Sequence, residues 1–130
     1  MTYNARVPTV TTSDESRAAV ITKATVRAAR FLGLSNATLA IVIGLSEATV
    51  SRMASGLYLL DPKNKPYELS LLLIRLFRRL DAMVGGEEGP MQSWMRTNNL
   101  VLLGIPAEKI QTIIGLMDTV NYVDTSRARI

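Results

Sequence analysis

Apolar residues recur at helical spacing along much of this 130-residue chain. The first stretch with this pattern, residues 13–33, predicts a long helix. Its apolar face is formed by Val20, Ile21, Ala24, Ala28, Phe31 and Leu32. Thr12 followed by Glu15 predicts a capping box at the start of this helix, and Gly33 ends it. Residues 1–12 have no periodic pattern, so we expect them to form a flexible N-terminal arm.

Two short helices joined by a tight turn are predicted over residues 34–56. Ser35 and Ser46 each precede a helix, where a side-chain oxygen accepts a hydrogen bond from an otherwise unpaired backbone N–H. Gly44 follows the first helix, where a left-handed residue is needed, and Ala40 is small where the two helices approach each other. The inward-pointing residues are Leu39, Ile43, Leu45, Val50 and Met53. This combination is typical of a helix-turn-helix, which places its second helix in the DNA major groove; the alternative is a purely structural αα-hairpin.

The second half follows a loop that contains two prolines, Asp61-Pro62-Lys63-Asn64-Lys65-Pro66. The next helix is predicted over residues 66–84 and has two apolar faces. One face is formed by Leu69, Leu72, Leu73, Leu76, Leu80 and Met83, and the other by Tyr67, Leu71, Ile74, Phe77 and Val84. A helix with this much apolar surface must be covered on two sides, so we expect it to be the central helix of the second half.

Three features of the C-terminal third complete the predicted fold. Residues 100–105 are mostly aliphatic, and we interpret them as a buried loop because a solitary strand has no partner. Pro106 begins the last helix. Its core face is expected to contain Ile110, Ile113, Ile114, Met117, Val120 and Val123. Gly115 inside this helix costs about 1 kcal/mol relative to alanine, so it predicts a close helix–helix crossing. Trp94, in a short preceding helix, is expected to be a core anchor.

Composition excludes several classes of function. Cysteine and histidine are both absent, which removes disulfides, Ser-His-Asp and Cys-His nucleophile systems and most catalytic zinc sites. We therefore expect no enzymatic activity, no metal and no cofactor. No apolar run approaches the ~20 residues of a membrane span, and residues 1–16 lack the apolar segment of a signal peptide, so we expect a cytoplasmic protein. The net charge of +4 suits nucleic acid without requiring it.

Two clusters of basic residues each allow two interpretations. They are Lys23, Arg27 and Arg30 on the first helix, and Arg75, Arg78 and Arg79 on the helix of residues 66–84. The first cluster is either a solvated face or a contact for phosphates or an acidic partner. In the second cluster, like charges three and four residues apart repel each other. Either an acidic partner or a solvated edge with the nearby Asp81 relieves that repulsion.

The second short helix, about residues 46–55, presents a workable DNA-reading face. Its outward residues are Ser46, Glu47, Ala48, Thr49, Ser51, Arg52 and Ser55. Arg52 can contact guanine with two hydrogen bonds, Glu47 can accept from a cytosine amino group, and Ala48 can touch a thymine methyl group. The hydroxyl side chains can reach phosphates or bases. With a single positive charge offset by Glu47, one copy is expected to bind weakly, so specific binding requires a dimer that spans half-sites about 34 Å apart.

An ordered series of short motifs covers about residues 57–125. The series is Asp61-Pro62, Pro66-Tyr67-Glu68-Leu69, Leu73-Ile74-Arg75-Leu76-Phe77-Arg78, Leu80-Asp81-Ala82-Met83-Val84-Gly85-Gly86, Trp94-Met95, Asn98-Asn99, Leu103-Gly104-Ile105-Pro106, Gly115-Leu116-Met117 and Tyr122-Val123-Asp124. This series resembles the toxin-binding domain of Xre/ParS/MbcA-type antitoxins, and residues 34–56 resemble the Xre-like module that usually precedes it. Two departures from the family pattern are Gly89-Pro90, which shifts the start of a short helix, and a recognition helix that is less basic.

The resemblance implies an all-α protein, with an N-terminal helix-turn-helix domain followed by a helical toxin-binding and dimerisation domain. It implies the antitoxin of a bacterial type II toxin–antitoxin pair. Such an antitoxin binds a RES-domain, NAD+-consuming toxin directly, and the complex represses its own promoter through operator DNA. We accordingly divide the chain into the arm (1–12), the helix-turn-helix domain (13–60) and the toxin-binding and dimerisation domain (61–130). We expect the protein to form a homodimer, to bind no membrane and to have no small-molecule substrate.

The toxin contact is expected on the arginine side of the 66–84 helix and near the C-terminus. The candidate residues are Arg75, Arg79, Asn121, Tyr122, Asp124, Arg127, Arg129 and Ile130. The basic tail and its terminal carboxylate can reach a pocket that holds an anionic dinucleotide; the alternative is a frayed tail without a role. The competing function is a stand-alone dimeric helix-turn-helix repressor, whose second half only dimerises or senses a ligand.

Overall fold

The computed structural model describes the backbone of residues 6–128, and side chains over residues 13–126. This part of the chain is all helical, which confirms the predicted fold class. The helices are α1 (Arg6–Leu32), α2 (Asn36–Ile43), α3 (Glu47–Ala54), α4 (Lys65–Met83), α5 (Glu88–Arg96), α6 (Pro106–Lys109) and α7 (Ile113–Ala128). The described residues contain no strand, only one isolated antiparallel bridge between Asn99 and Gly104.

The first helix begins earlier than the sequence pattern predicts. It begins at Arg6 rather than at residue 13, so residues 6–12, expected to belong to a flexible arm, are helical. Thr12 therefore lies inside the helix and is not its N-cap. Pro8 is in the first turn, where the N–H that proline lacks has no partner within the helix. Residues 1–5 lie outside the described part of the chain.

The long helix α4 is the centre of the molecule. It packs against α1 on one side and α7 on the other, with α2 also in contact, so it is covered on two sides as predicted. Leu71, predicted to belong to the second covered face, is exposed. Its most buried residues are Tyr67, Ser70, Leu73, Leu76 and Leu80. Burying one leucine side chain contributes about 1.5–3 kcal/mol. Because residues of α2, α3, α4 and α7 belong to one cluster of buried side chains, the two halves share a hydrophobic core.

One buried hydroxyl joins the segment after α3 to α1. The buried hydroxyl of Thr22 on α1 donates to the carbonyl of Ala18 (2.6 Å) and accepts from the N–H of Leu60 (2.9 Å). This fixes the segment after α3 along α1. The predicted division of the chain at residue 60 stays a prediction.

The last predicted helix is broken in two. α6 ends at Lys109, and α7 begins only at Ile113. The break changes the helical phase, so the core face of α7 contains Leu116, Val120 and Val123. The prediction that Ile113, Ile114 and Met117 face the core is wrong, since all three are exposed. Gly115 does lie at a close approach: a Cβ there would collide with the backbone carbonyl of Lys109. The close neighbour is thus the end of α6 and not a second long helix.

Four further features lie in α1, in loop 100–105 and in α5. Val20 on α1 is exposed, so its predicted place in the core is wrong. The loop of residues 100–105 is also largely exposed, and Leu102 is the one leucine of that loop that is buried. Trp94 is half-buried, packs against the core and stacks on Tyr122, with ring centroids 6.4 Å apart. Gly89 and Pro90 lie in the first turn of α5, which begins at Glu88.

Candidate functional site

The segment α2–turn–α3 has the geometry of a helix-turn-helix. The side chains of Ser35 and Ser46 each accept a hydrogen bond from the backbone N–H three residues later, both at 3.1 Å, which confirms them as N-caps. Gly44 has a φ of +78°, in the left-handed region that glycine adopts without strain. The axes of α2 and α3 meet at 109°, within the range expected of the motif. The inward residues are buried or half-buried as predicted: Leu39, Ile43, Leu45, Val50 and Met53.

The outer face of α3 presents the predicted DNA-reading residues to solvent. Those exposed are Ser46, Glu47, Ala48, Ser51, Arg52 and Ser55, and Thr49 is half-buried. The hydroxyls of Ser46 and Thr49 lie 2.9 Å apart, and Nη2 of Arg52 donates to Oγ1 of Thr49 (3.1 Å). Arg52 is therefore held along the exposed face of the helix. Within the described residues neither Arg52 nor Glu47 has an ion-pair partner, so both remain able to contact a ligand.

The first basic cluster lies beside the C-terminal end of α3. Lys23, Arg27 and Arg30 line a groove of about 710 Å³ between α1 and the end of α3. The guanidinium of Arg27 lies 5.5 Å from the ring centroid of Phe31, a cation–π contact that fixes its direction. These cations raise the local positive potential near a helix that carries a single arginine on its outer face.

The second basic cluster is partly neutralised from within the chain. Nη2 of Arg75 lies 2.7 Å from Oδ2 of Asp124, and Nε of Arg79 lies 2.9 Å from Oδ1, although the latter contact lacks good hydrogen-bond geometry. The acidic group that offsets these arginines is thus on α7 and is not Asp81. The arginine side chains are 54% and 37% exposed and that of Asp124 is 23% exposed, so the ion pairs are partly screened by solvent and are worth about 1 kcal/mol. The ion pairs connect α4 to α7. Arg75, Arg78 and Arg79 also line a groove of about 660 Å³ between α4 and α1.

The remaining predicted toxin-binding residues lie elsewhere. Asn121 and Tyr122 line a shallow groove of about 440 Å³ that they share with the loop residues Val101 and Leu103. Asp124 instead faces α4. The structure therefore separates the predicted set into two places on either side of α7. The side chain of Arg127, together with Arg129 and Ile130, lies outside the described residues.

The sequence interpretation missed an exposed apolar surface, which we name the apolar patch. It consists of Leu100, Val101, Leu103, Ile113, Ile114 and Met117. Leu103 and Ile114 line one groove, so the loop and the start of α7 adjoin. One sequence signal was available: residues 100–103 lie between Asn99 and Gly104, two turn-forming residues, and loops generally run over the surface.

Neither a metal site nor a single membrane-spanning helix is found in the described residues. No group of three or more His, Cys, Asp or Glu side chains in residues that the structure describes is arranged to hold a metal ion. Over the same part of the chain, no single helix is long and apolar enough to cross a membrane; the bent α2–α3 pair meets that test by length and composition alone.

Comparison with protein families gives two adjoining matches. Residues 13–78 match a family described as the antitoxin Xre-like helix-turn-helix domain. Residues 79–129 match a family described as the antitoxin Xre/MbcA/ParS C-terminal toxin-binding domain. The two matches meet inside α4. No curated protein matches the sequence.

Proposed function

Since its two family matches run from residue 13 to residue 129, the chain belongs to the Xre-type antitoxins, and we propose that it neutralises a RES-domain, NAD+-consuming toxin by binding it directly. The observation that carries the proposal is the match of residues 79–129 to a toxin-binding domain. This part of the chain shares its hydrophobic core with a helix-turn-helix whose two serine caps are formed. Neutralisation by occlusion needs only affinity. A nanomolar complex corresponds to about −12 kcal/mol, an affinity that complexes with a standard interface of ~800 Å² per partner reach.

The second proposed activity is autorepression through the outer face of α3. Arg52, held by Thr49, is the residue we assign to base recognition, and the cations of α1 strengthen attraction to the phosphate backbone. We propose that a homodimer presents two copies of α3 to half-sites about 34 Å apart. Both activities belong to the cytoplasm, where operator DNA and a newly made toxin are found together.

The basic tail is a proposed part of the neutralising contact. Arg127 lies in the last turn of α7 and Arg129 follows the helix in the sequence, and two cations in this segment suit a pocket that holds an anionic dinucleotide. Deleting residues 126–130 tests this directly. We expect weaker neutralisation, and unchanged neutralisation by the shortened protein would reject a role for the tail.

Co-expression with the neighbouring reading frame tests the proposed function. The product of that frame is expected to stop growth when expressed alone, to be harmless with this protein present, and to copurify with it. A growth arrest accompanied by loss of cellular NAD+ would identify the RES activity. If the neighbour is harmless, or toxic but never bound, neutralisation is rejected and a stand-alone dimeric repressor becomes the function that remains.

A further inference from the structure

We propose that the apolar patch is the surface on which the toxin docks, so that the main toxin contact is made by loop 100–103 and the start of α7 rather than by the arginine side of α4. This inference rests on the proposed function, because it assumes a toxin partner. It concerns a different property, namely which residues of the chain make the contact.

The exposure of the patch is the first argument. The exposed fraction is 82%, 70% and 83% for Leu100, Val101 and Leu103, and 66% and 75% for Ile113 and Ile114. Val101 and Leu103 line one groove, and Leu103 and Ile114 line the next, so the exposed residues of the loop and of α7 adjoin. Adjoining exposed apolar side chains of this kind mark surfaces that contact partners.

The loop that carries half of the patch is held rigidly. Asn99 and Gly104 exchange two backbone hydrogen bonds, of 2.8 and 3.2 Å, and Oδ1 of Asn99 accepts from the N–H groups of Val101 and Leu102, both at 3.0 Å. Leu102 is buried and anchors the loop to the core. A loop fixed in this way loses little conformational entropy on binding, which is a property of preorganised docking surfaces.

Leu103 adds a second observation that points to a ligand-binding role. It has a φ of +60°, the one positive φ of a non-glycine residue among the described residues, and its side chain is exposed. A leucine in this left-handed conformation is strained by about 1–2 kcal/mol, and the hydrogen bonds of Asn99 and Gly104 hold the loop in this conformation. Strain of this kind concentrates at sites that contact partners, where a specific side chain is required despite its conformational cost.

The position of the patch selects the toxin as its occupant. All six patch residues lie between 79 and 129, the part of the chain that matches a toxin-binding domain. Arg75 lies outside that match, and Asp124 is already engaged by the two arginines. The charged residues beside the patch are one basic, Lys109, and two acidic, Glu108 and Asp118, so the surface has no excess of positive charge and is unsuited to DNA. The partner surface we infer is therefore largely apolar and weakly charged.

The test is a competition for the toxin between tagged variants and untagged wild-type protein. The variants Leu103→Asp and Ile114→Asp place a charge on each half of the patch, and the probe is the product of the neighbouring reading frame, supplied in limiting amount. Leu57→Asp is the matched control, since Leu57 is equally exposed (75%) but lies outside residues 79–129. Both patch variants are expected to capture at least 100-fold less toxin than wild type, and the control to capture as much. Thermal unfolding of each variant verifies that exposed-site charges leave the fold intact.

Three results would overturn the inference, and they differ in whether the proposed antitoxin function is also rejected. If both patch variants capture toxin as wild type does, the docking surface is elsewhere and the antitoxin function stands. If the wild-type protein itself neither binds nor neutralises the neighbour, the proposed function and the docking surface fail together. If light scattering shows a wild-type dimer that Leu103→Asp converts to a monomer while toxin capture is unchanged, the patch is occupied by a second copy of this chain.

Discussion

The outer face of α3 and the apolar patch are both exposed, but they are built from opposite chemistry. The α3 face consists of hydroxyl, small and charged side chains, ordered by contacts such as that of Arg52 with Thr49. The apolar patch consists of aliphatic side chains on a loop fixed by Asn99. A polar face is well solvated when no ligand is bound, whereas an exposed apolar face is favourable only when a partner covers it. The comparison indicates that the α3 face is suited to a polar ligand and that the apolar patch is suited to a partner with an apolar surface.

The largest loss of stability is expected from a substitution at the junction of α6 and α7, which supports the apolar patch and not the α3 face. In Gly115→Ala the new Cβ collides with the carbonyl of Lys109, so the backbone that carries half of the patch must move. We expect a loss of about 3 kcal/mol in the free energy of unfolding, seen as a melting temperature lowered by about 10 °C. The control is Gly89→Ala in α5, where a Cβ meets no neighbour. Equal melting temperatures for the two variants would contradict the described junction.

The second effect is confined to the α3 face. Arg52→Ala removes the guanidinium that is ordered on the outer face, and DNA affinity is expected to fall by about 2 kcal/mol at constant salt. Toxin capture should not change. Arg96→Ala removes the same charge from the exposed end of α5, well away from α3 along the chain. If operator binding falls equally in the Arg96 variant, net charge and not α3 accounts for the affinity.

The third effect has opposite signs for stability and binding. Leu103→Gly relieves the strain at a φ of +60° and is expected to raise the free energy of unfolding by about 1 kcal/mol while it weakens toxin capture. Leu100→Gly is the matched control, because its backbone has no positive φ and glycine there only increases the entropy of the unfolded chain. Denaturant titration checks both variants. A destabilised Leu103→Gly protein would show that the loop conformation is not strained.

The smallest effect is expected at the arginine side of α4. Asp124→Asn weakens two partly exposed ion pairs and should lower the free energy of unfolding by no more than about 1 kcal/mol. Toxin capture is expected to change less than about threefold, which is about 0.6 kcal/mol. Asp81→Asn on α4, a carboxylate without an ion pair among the described residues, serves as the control. A large loss of toxin capture in the Asp124 variant alone would show that the toxin contacts the arginine side of α4.

The sequence predicts the helix-turn-helix well because its signals are local. Ser35, Gly44 and Ser46 act within one turn of their own positions, so caps and turn are visible without knowledge of the fold.

The apolar patch could not be predicted from the sequence because its exposure depends on how distant parts of the chain pack. Helical periodicity identifies an apolar face but not what covers it, so Ile113 and Ile114 were assigned to the core. The break before α7 contains neither proline nor glycine, and the pairing of Asp124 with α4 joins residues 45 or more positions apart, beyond any local pattern.

Amide hydrogen exchange of this protein, measured with and without the toxin, tests the central claim most directly. The account predicts that toxin binding slows exchange at residues 99–104 and 113–117 and leaves the amides of α3 unchanged. Protection limited to α4 and the end of α7 around Asp124, with unchanged exchange in loop 99–104, would contradict it.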